Sequence, residues 1–232
     1  MKSTTEVRTP DGAMTAHVWH PEGSAGPGIL LLQEIFGVSN YIQRRAANLA
    51  AAGYVVLVPE LYWRLDEQRV DESAPDAVER AMSLAERLDW TTTVGDAVAG
   101  FDHLQDMDGV EGSPALIGFC FGGALAFNVA ADTNPSALVS YYGSSLPQLL
   151  DLTPQVTCPS LHHFGTKDDY LDAATVRTIS ETLTADGRLD VVETYAGANH
   201  AFDNDDFFLF HPEASRQAWG TTLGFLQQHL PT

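Results

Sequence analysis

Cysteine, lysine and long apolar runs are all scarce in this chain. Its 232 residues include two cysteines, Cys120 and Cys158, and neither belongs to a CxxC pair. The ligand spacing of a structural zinc site is therefore missing, and no metal is expected. Two such cysteines could pair in a secreted protein but stay reduced in a cytosolic one. The lysines are Lys2 and Lys167 alone, and the formal net charge is −19. A surface of that sign repels phosphate backbones and anionic lipids, so neither nucleic acid nor membrane is expected as a partner. No stretch of about 18 apolar residues appears, so nothing reads as a membrane span. The first residues, Met1 to Glu6, lack an apolar core after their charge and do not read as a secretory signal, which points to the cytoplasm.

What remains is a chain that is 44% hydrophobic with no low-complexity run. That composition and length suit one globular domain over residues 1–232. Thr4–Thr9 and Met14–Trp19 alternate in polarity around Pro10-Asp11-Gly12, as an antiparallel hairpin does. Gly28–Leu32 and Tyr54–Val58 are continuous apolar runs of strand length, the mark of buried parallel strands. Tyr41–Ala52 between them has helical spacing and stops at Gly53. Further helices are expected over Pro75–Leu88, Thr91–Gln105, Phe121–Ala131, Ala173–Leu183 and Glu213–His229. Further strands are expected over Pro114–Gly118, Ala137–Tyr142, Ser160–Phe164 and Val191–Tyr195. Strands that alternate with helices after an opening hairpin argue for an α/β fold with a mostly parallel sheet of about eight strands, covered on both faces.

The sharpest feature is Leu116-Ile117-Gly118-Phe119-Cys120-Phe121-Gly122-Gly123-Ala124. It follows an apolar strand and opens a helix rich in small residues. A nucleophile held on a tight strand-to-helix turn needs small neighbours, because the backbone folds back on itself there, and Gly118 and Gly122 meet that need. The helix start favours thiolate over thiol and aims the amide of Phe121 at any oxyanion that forms. A free cysteine is ordinarily a buried packing residue. Here the strand and helix on either side are the context that the nucleophile turn requires.

Downstream, one expected strand ends in Phe164-Gly165-Thr166-Lys167-Asp168-Asp169, and another is followed by Gly197-Ala198-Asn199-His200-Ala201-Phe202. Asp168 and His200 thus fall in loops past strand C-terminal ends, where ligands gather in such sheets. The chain order Cys120, Asp168, His200 is that of nucleophile, acid and base in an α/β-hydrolase. Asp169 is the neighbour most easily confused with Asp168. His162 and His163 lie inside a strand and read as packing or surface residues. Glu34, in Gln33-Glu34-Ile35-Phe36-Gly37, follows a buried strand and is expected to be buried itself.

These segments, together with Tyr141-Tyr142-Gly143, resemble the dienelactone hydrolase family over about Gly28 to Phe225. The resemblance implies an α/β-hydrolase fold, a small ester or lactone as substrate, and no cofactor. It implies a Cys120–His200–Asp168 triad and an oxyanion hole from the amides of Ile35 and Phe121. It further implies that Glu34 holds the resting thiol and takes its proton as substrate displaces the carboxylate. Phe36, Tyr142 and Arg80 are the candidate substrate contacts. Founding members of the family hold a dienelactone carboxylate with two arginines, and the corresponding places here are Val78 and Asn204. Arg80, Arg64 and Arg69 are the nearby arginines that could replace them, and otherwise neutral substrates are expected. A thioesterase on the same scaffold, or a binding module, are the other functional classes that the residues leave open.

Overall fold

The computed structural model describes the backbone of residues 1–232 and every side chain except that of residue 186. The chain runs β1 (Lys2–Thr9), β2 (Gly12–Trp19), β3 (Gly26–Leu32), α1 (Asn40–Ala51), β4 (Val55–Pro59), α2 (Ala77–Glu86), α3 (Trp90–Gln105) and β5 (Val110–Phe119). It continues through α4 (Phe121–Asp132), β6 (Leu138–Tyr141), β7 (Ser160–Gly165), α5 (Ala173–Leu183), β8 (Val191–Tyr195) and α6 (Pro212–His229). The eight strands form one sheet in the order β1-β2-β4-β3-β5-β6-β7-β8. β1 pairs antiparallel with β2, and β2 with β4, whereas β3–β4, β6–β7 and β7–β8 are parallel. This is the mostly parallel sheet expected from the alternation of elements, in the α/β-hydrolase arrangement that the resemblance implied.

By compactness the chain divides into residues 1–116 with Thr232, and residues 117–231. In the first unit β3 and β4 are buried along their whole length, as their unbroken apolar runs require. α1 begins at Asn40 because Ser39 accepts a hydrogen bond from the Ile42 amide, a cap that contributes about 1 kcal/mol. Its buried face, Ile42, Ala46, Leu49 and Ala50, follows the helical period. α2 is shorter than the expected Pro75–Leu88. Pro75 lies in a turn, and Asp76 makes no side-chain cap, so helical hydrogen bonding starts only at Ala77. Residues 60–76 form no regular element, yet Tyr62 and Val70 within them are fully buried.

In the second unit β6 and β7 are likewise buried throughout. β6 stops at Tyr141 rather than Tyr142, because Tyr142 adopts φ +39°, which no strand residue can hold. β5 is longer than expected, taking in the exposed Glu111 and Gly112. A 3-10 turn over Leu146–Leu152, opened by Pro147, was not legible in the apolar pattern. α5 is capped by Asp172, which accepts from the Thr175 amide at 2.8 Å, and buries Val176, Ile179 and Leu183. His162 and His163 are fully buried inside β7 and are packing residues, not surface ones.

Candidate active site

Cys120 sits between the last residue of β5 and the first of α4 with φ +54° and ψ −115°, a left-handed conformation that a side-chain-bearing residue rarely adopts. Gly118 is what permits the turn. A Cβ there would lie 1.9 Å from the carbonyl oxygen of Gly122, so no other residue fits. Gly123 is nearly as confined, since its Cβ would lie 2.8 Å from Ser140 Oγ. The Phe121 amide belongs to the first turn of α4 and points out from the positive end of that helix.

The loops after β7 and β8 carry the other two groups to the same place. His200 Nε2 lies 3.1 Å from Cys120 Sγ, and His200 Nδ1 lies 2.9 Å from Asp168 Oδ2. The three residues thus form a continuous line of contacts, from Cys120 through His200 to Asp168. Asp168 and Asp169, adjacent in sequence, have separate partners. Asp168 Oδ1 accepts the amides of Tyr170 at 2.8 Å and Leu171 at 3.0 Å, which leaves Oδ2 for the imidazole. Asp169 instead accepts from Asn199 Nδ2 at 2.7 Å. Asn199 Oδ1 in turn takes the amides of Asp169 and His200, so it ties one loop to the other.

The electrostatics follow from the enclosure. His200 is buried, which disfavours an imidazolium, but the Cys120 sulfur and the Asp168 carboxylate on its two sides outweigh that and raise its pKa well above the ordinary value. In β7, burial pushes His162 down to about 3, and burial together with the neighbouring His162 pushes His163 down to about 3. His163 spends its two nitrogens on Tyr195 and Thr222, at 2.8 and 3.0 Å.

Tyr142, fully buried, meets the His200 ring edge-on at 5.1 Å between centroids. Tyr170, 59% exposed, meets it at 4.8 Å. Ser144 Oγ lies 3.9 Å from Cys120 Sγ. Tyr170 and Ser144 were not singled out from sequence, because neither belongs to a motif whose spacing carries chemistry.

In the first unit, Glu34 is buried at the start of a tight turn in which the Gly37 amide donates to its carbonyl at 3.3 Å. Gly37 takes φ +83°, and a Cβ on it would lie 2.3 Å from the Gln68 carbonyl oxygen. The Ile35 carbonyl accepts from the Tyr62 hydroxyl at 2.7 Å, and the Phe36 carbonyl from the Val70 amide at 3.0 Å. Residues 62–70 therefore fix the peptide planes of this turn. Phe36 is buried. Arg80 is half-exposed and held by Glu67 and Asp76, and Arg64 is held by Asp96 and Asp11. Asn204 is fully buried and accepts the Asp206 amide at 3.0 Å.

A model of the dienelactone hydrolase family matches residues 14–230. The chain belongs to the dienelactone hydrolase family. A carboxymethylenebutenolidase from Pseudomonas sp. (strain P51) is 33% identical over 222 residues, 95% of this chain and 92% of that protein. Carboxymethylenebutenolidase 1 from Cupriavidus pinatubonensis is 33% identical over 216 residues, 93% and 92% of the two chains. A crystal structure from Klebsiella pneumoniae, provisionally named a dienelactone hydrolase, superposes with a TM-score of 0.86 at 25% identity and covers 98% of each chain. Membership of this family makes the protein a hydrolase of ester or lactone bonds. Among the described residues, no group of three or more His, Cys, Asp and Glu side chains is placed to hold a metal ion. No helix among them is long and apolar enough to cross a membrane.

Proposed function

We propose that this dienelactone hydrolase family member opens small esters or lactones by covalent catalysis, with Cys120 as nucleophile, His200 as base and Asp168 as the acid that orients it. The observation that supports this most is the unbroken line from Sγ through the imidazole to the carboxylate, at 3.1 and 2.9 Å, set at a left-handed turn. The raised pKa of His200 favours an imidazolium beside the sulfur. The thiolate attacks the carbonyl carbon, a C–S bond forms, and the carbonyl electron pair moves to oxygen. The amides of Ile35 and Phe121 receive that oxyanion. Collapse expels the alkoxide, which takes the proton from His200 Nε2. A water then gives its proton to Nε2 and attacks the thioester, the C–S bond breaks, and the acid departs. In this reading Glu34 acts earlier, holding the resting thiol and accepting its proton when substrate enters.

The substrate class we favour is neutral. Arg64 and Arg80 are already paired with carboxylates, and Asn204 stands where the founding members of the family have an arginine. A desolvated anion with no cationic partner costs several kcal/mol at order of magnitude. The test is kcat/KM on a neutral lactone, a neutral ester, a dienelactone carboxylate and a coenzyme A thioester, with wild type and Cys120→Ala. Loss of turnover in Cys120→Ala, with the neutral lactone or ester preferred, is expected. Full activity in Cys120→Ala would sink the nucleophile assignment. Preference for the anion would sink the substrate class, and turnover of the thioester alone would replace the reaction.

A further inference from the structure

The Cys120 sulfur has a second polar neighbour besides the imidazole, and the backbone places it there. Cys120 N donates to the Tyr141 carbonyl at 2.9 Å, which ties the nucleophile turn to the end of β6. Tyr142 leaves the strand at φ +39°, with its amide held by the His163 carbonyl at 2.8 Å. Gly143 then passes so close to the start of α4 that a Cβ would lie 2.9 Å from Ser140 Oγ and 3.1 Å from the Ala124 nitrogen. Ser144 follows directly, half-buried, with Oγ 3.9 Å from Sγ. Among the described residues that hydroxyl has no other hydrogen-bond partner.

We propose that Ser144 is a second hydrogen-bond donor to the sulfur, engaged whenever the sulfur carries negative charge. The proposal rests on Cys120 being the nucleophile. Its physical reason lies in thioester breakdown. There the attacking water has given its proton to His200 Nε2, the C–S bond breaks, and its electron pair stays on sulfur. The imidazolium supplies one N–H to the departing thiolate, and a thiolate has further lone pairs for a second donor. The Ser144 hydroxyl is aimed at the sulfur whatever the protonation state of His200, and it is in place before the reaction starts. The same 3.9 Å contact also suits an S–H donating to Oγ, and rotation of the hydroxyl reverses it once the sulfur is charged. A separation of 3.9 Å is loose for the neutral pair. Charged partners draw closer, and unliganded sites tighten when substrate binds.

The test uses the full chain as wild type, Ser144→Ala, Ser144→Thr and Cys120→Ala. Alkylation by iodoacetamide is followed from acid to alkaline pH, with the labelled peptide identified by mass spectrometry. The burst with p-nitrophenyl acetate is followed by stopped flow. In Ser144→Ala the midpoint of Cys120 alkylation should move up by about half a pH unit to one unit, the size expected for one lost hydrogen bond. Deacylation should slow roughly 3- to 10-fold, so that more enzyme rests as thioester. Ser144→Thr keeps the hydroxyl and should bring both readouts back toward wild type. Curves for Ser144→Ala that superimpose on wild type, or a Ser144→Thr that behaves like Ser144→Ala, overturn the proposal alone. Labelling of Cys158 in place of Cys120, or a burst that survives in Cys120→Ala, overturns the nucleophile reading and this proposal with it.

Discussion

Asp168→Asn changes one atom at the place where the site has least freedom. The side chain is fully buried, Oδ1 accepts two backbone amides, and Oδ2 faces His200 Nδ1. An asparagine must keep its oxygen on the two amides, since turning the NH₂ toward them would set donor against donor twice. Its NH₂ is then forced toward Nδ1. A donor there requires Nδ1 to be the bare nitrogen, so the proton moves to Nε2, the atom that faces Cys120. The imidazole in that tautomer cannot take the proton of the attacking water, and an imidazolium loses its adjacent negative charge as well. Loss of the same interaction in a serine triad costs roughly 10⁴-fold in kcat, which corresponds to about 5.5 kcal/mol. We expect roughly 10³- to 10⁴-fold here, with the fold unchanged. Asp169→Asn should cost only a few-fold at most, because its amide can present oxygen to Asn199 Nδ2 just as the carboxylate does. Steady-state turnover of a neutral ester gives the rates, and ¹⁵N shifts of the His200 ring give the tautomer. A loss below about ten-fold in Asp168→Asn, or an equal loss in Asp169→Asn, would refute the reasoning.

Glu34→Gln keeps the shape of the buried side chain but cannot accept a proton. It should slow ester turnover by roughly 10²-fold or more with an unchanged circular dichroism spectrum, and near wild-type turnover would remove Glu34 from the mechanism. Gly118→Ala puts a Cβ 1.9 Å from a backbone oxygen and should cost more than the about 1–3 kcal/mol of ordinary overpacking. Gly95→Ala, exposed on α3 with nothing within 4 Å of its Cβ, should stabilise by about 0.5–1 kcal/mol. Urea midpoints check both, and equal effects from the two would contradict the steric account. His162 is neutral in the folded protein down to pH about 3, whereas the unfolded chain takes up its proton near 6.5. Unfolding therefore binds a proton between those values, and stability falls as pH falls through that window by about 1.4 kcal/mol per pH unit for this one group. His162→Leu leaves Ser160 bonded to Asp190 at 2.5 Å and should flatten that acid slope by one proton. Parallel stability curves for wild type and variant between pH 6.5 and 4 would show that the imidazole is not held neutral. His200 acts with the opposite sign, because its raised pKa adds stability that is fully present below about 6.5 and is lost only as pH rises through the folded value.

The sequence by itself determined the parts of this protein that local chemistry dictates. An unbroken apolar run is buried wherever it goes, so β3 and β4 were legible as core strands. A glycine two residues before the cysteine and another two after it are demands of the backbone turn, so the strand, the elbow and α4 could be read together. The order of Cys120, Asp168 and His200 and their places past strand ends followed from the same alternation. The tertiary structure decided what spacing cannot carry. Asp168 and Asp169 are chemically identical neighbours, and only the amides of Tyr170 and Leu171 on one side and Asn199 on the other send them to different partners. Ser144 comes 24 residues after Cys120 and has no motif of its own, yet the left-handed Tyr142 and the crowded Gly143 bring its hydroxyl to the sulfur. Likewise Arg64 and Arg80 looked available for an anion until folding gave each a carboxylate, because long side chains choose partners by what lies within reach and not by position in the chain.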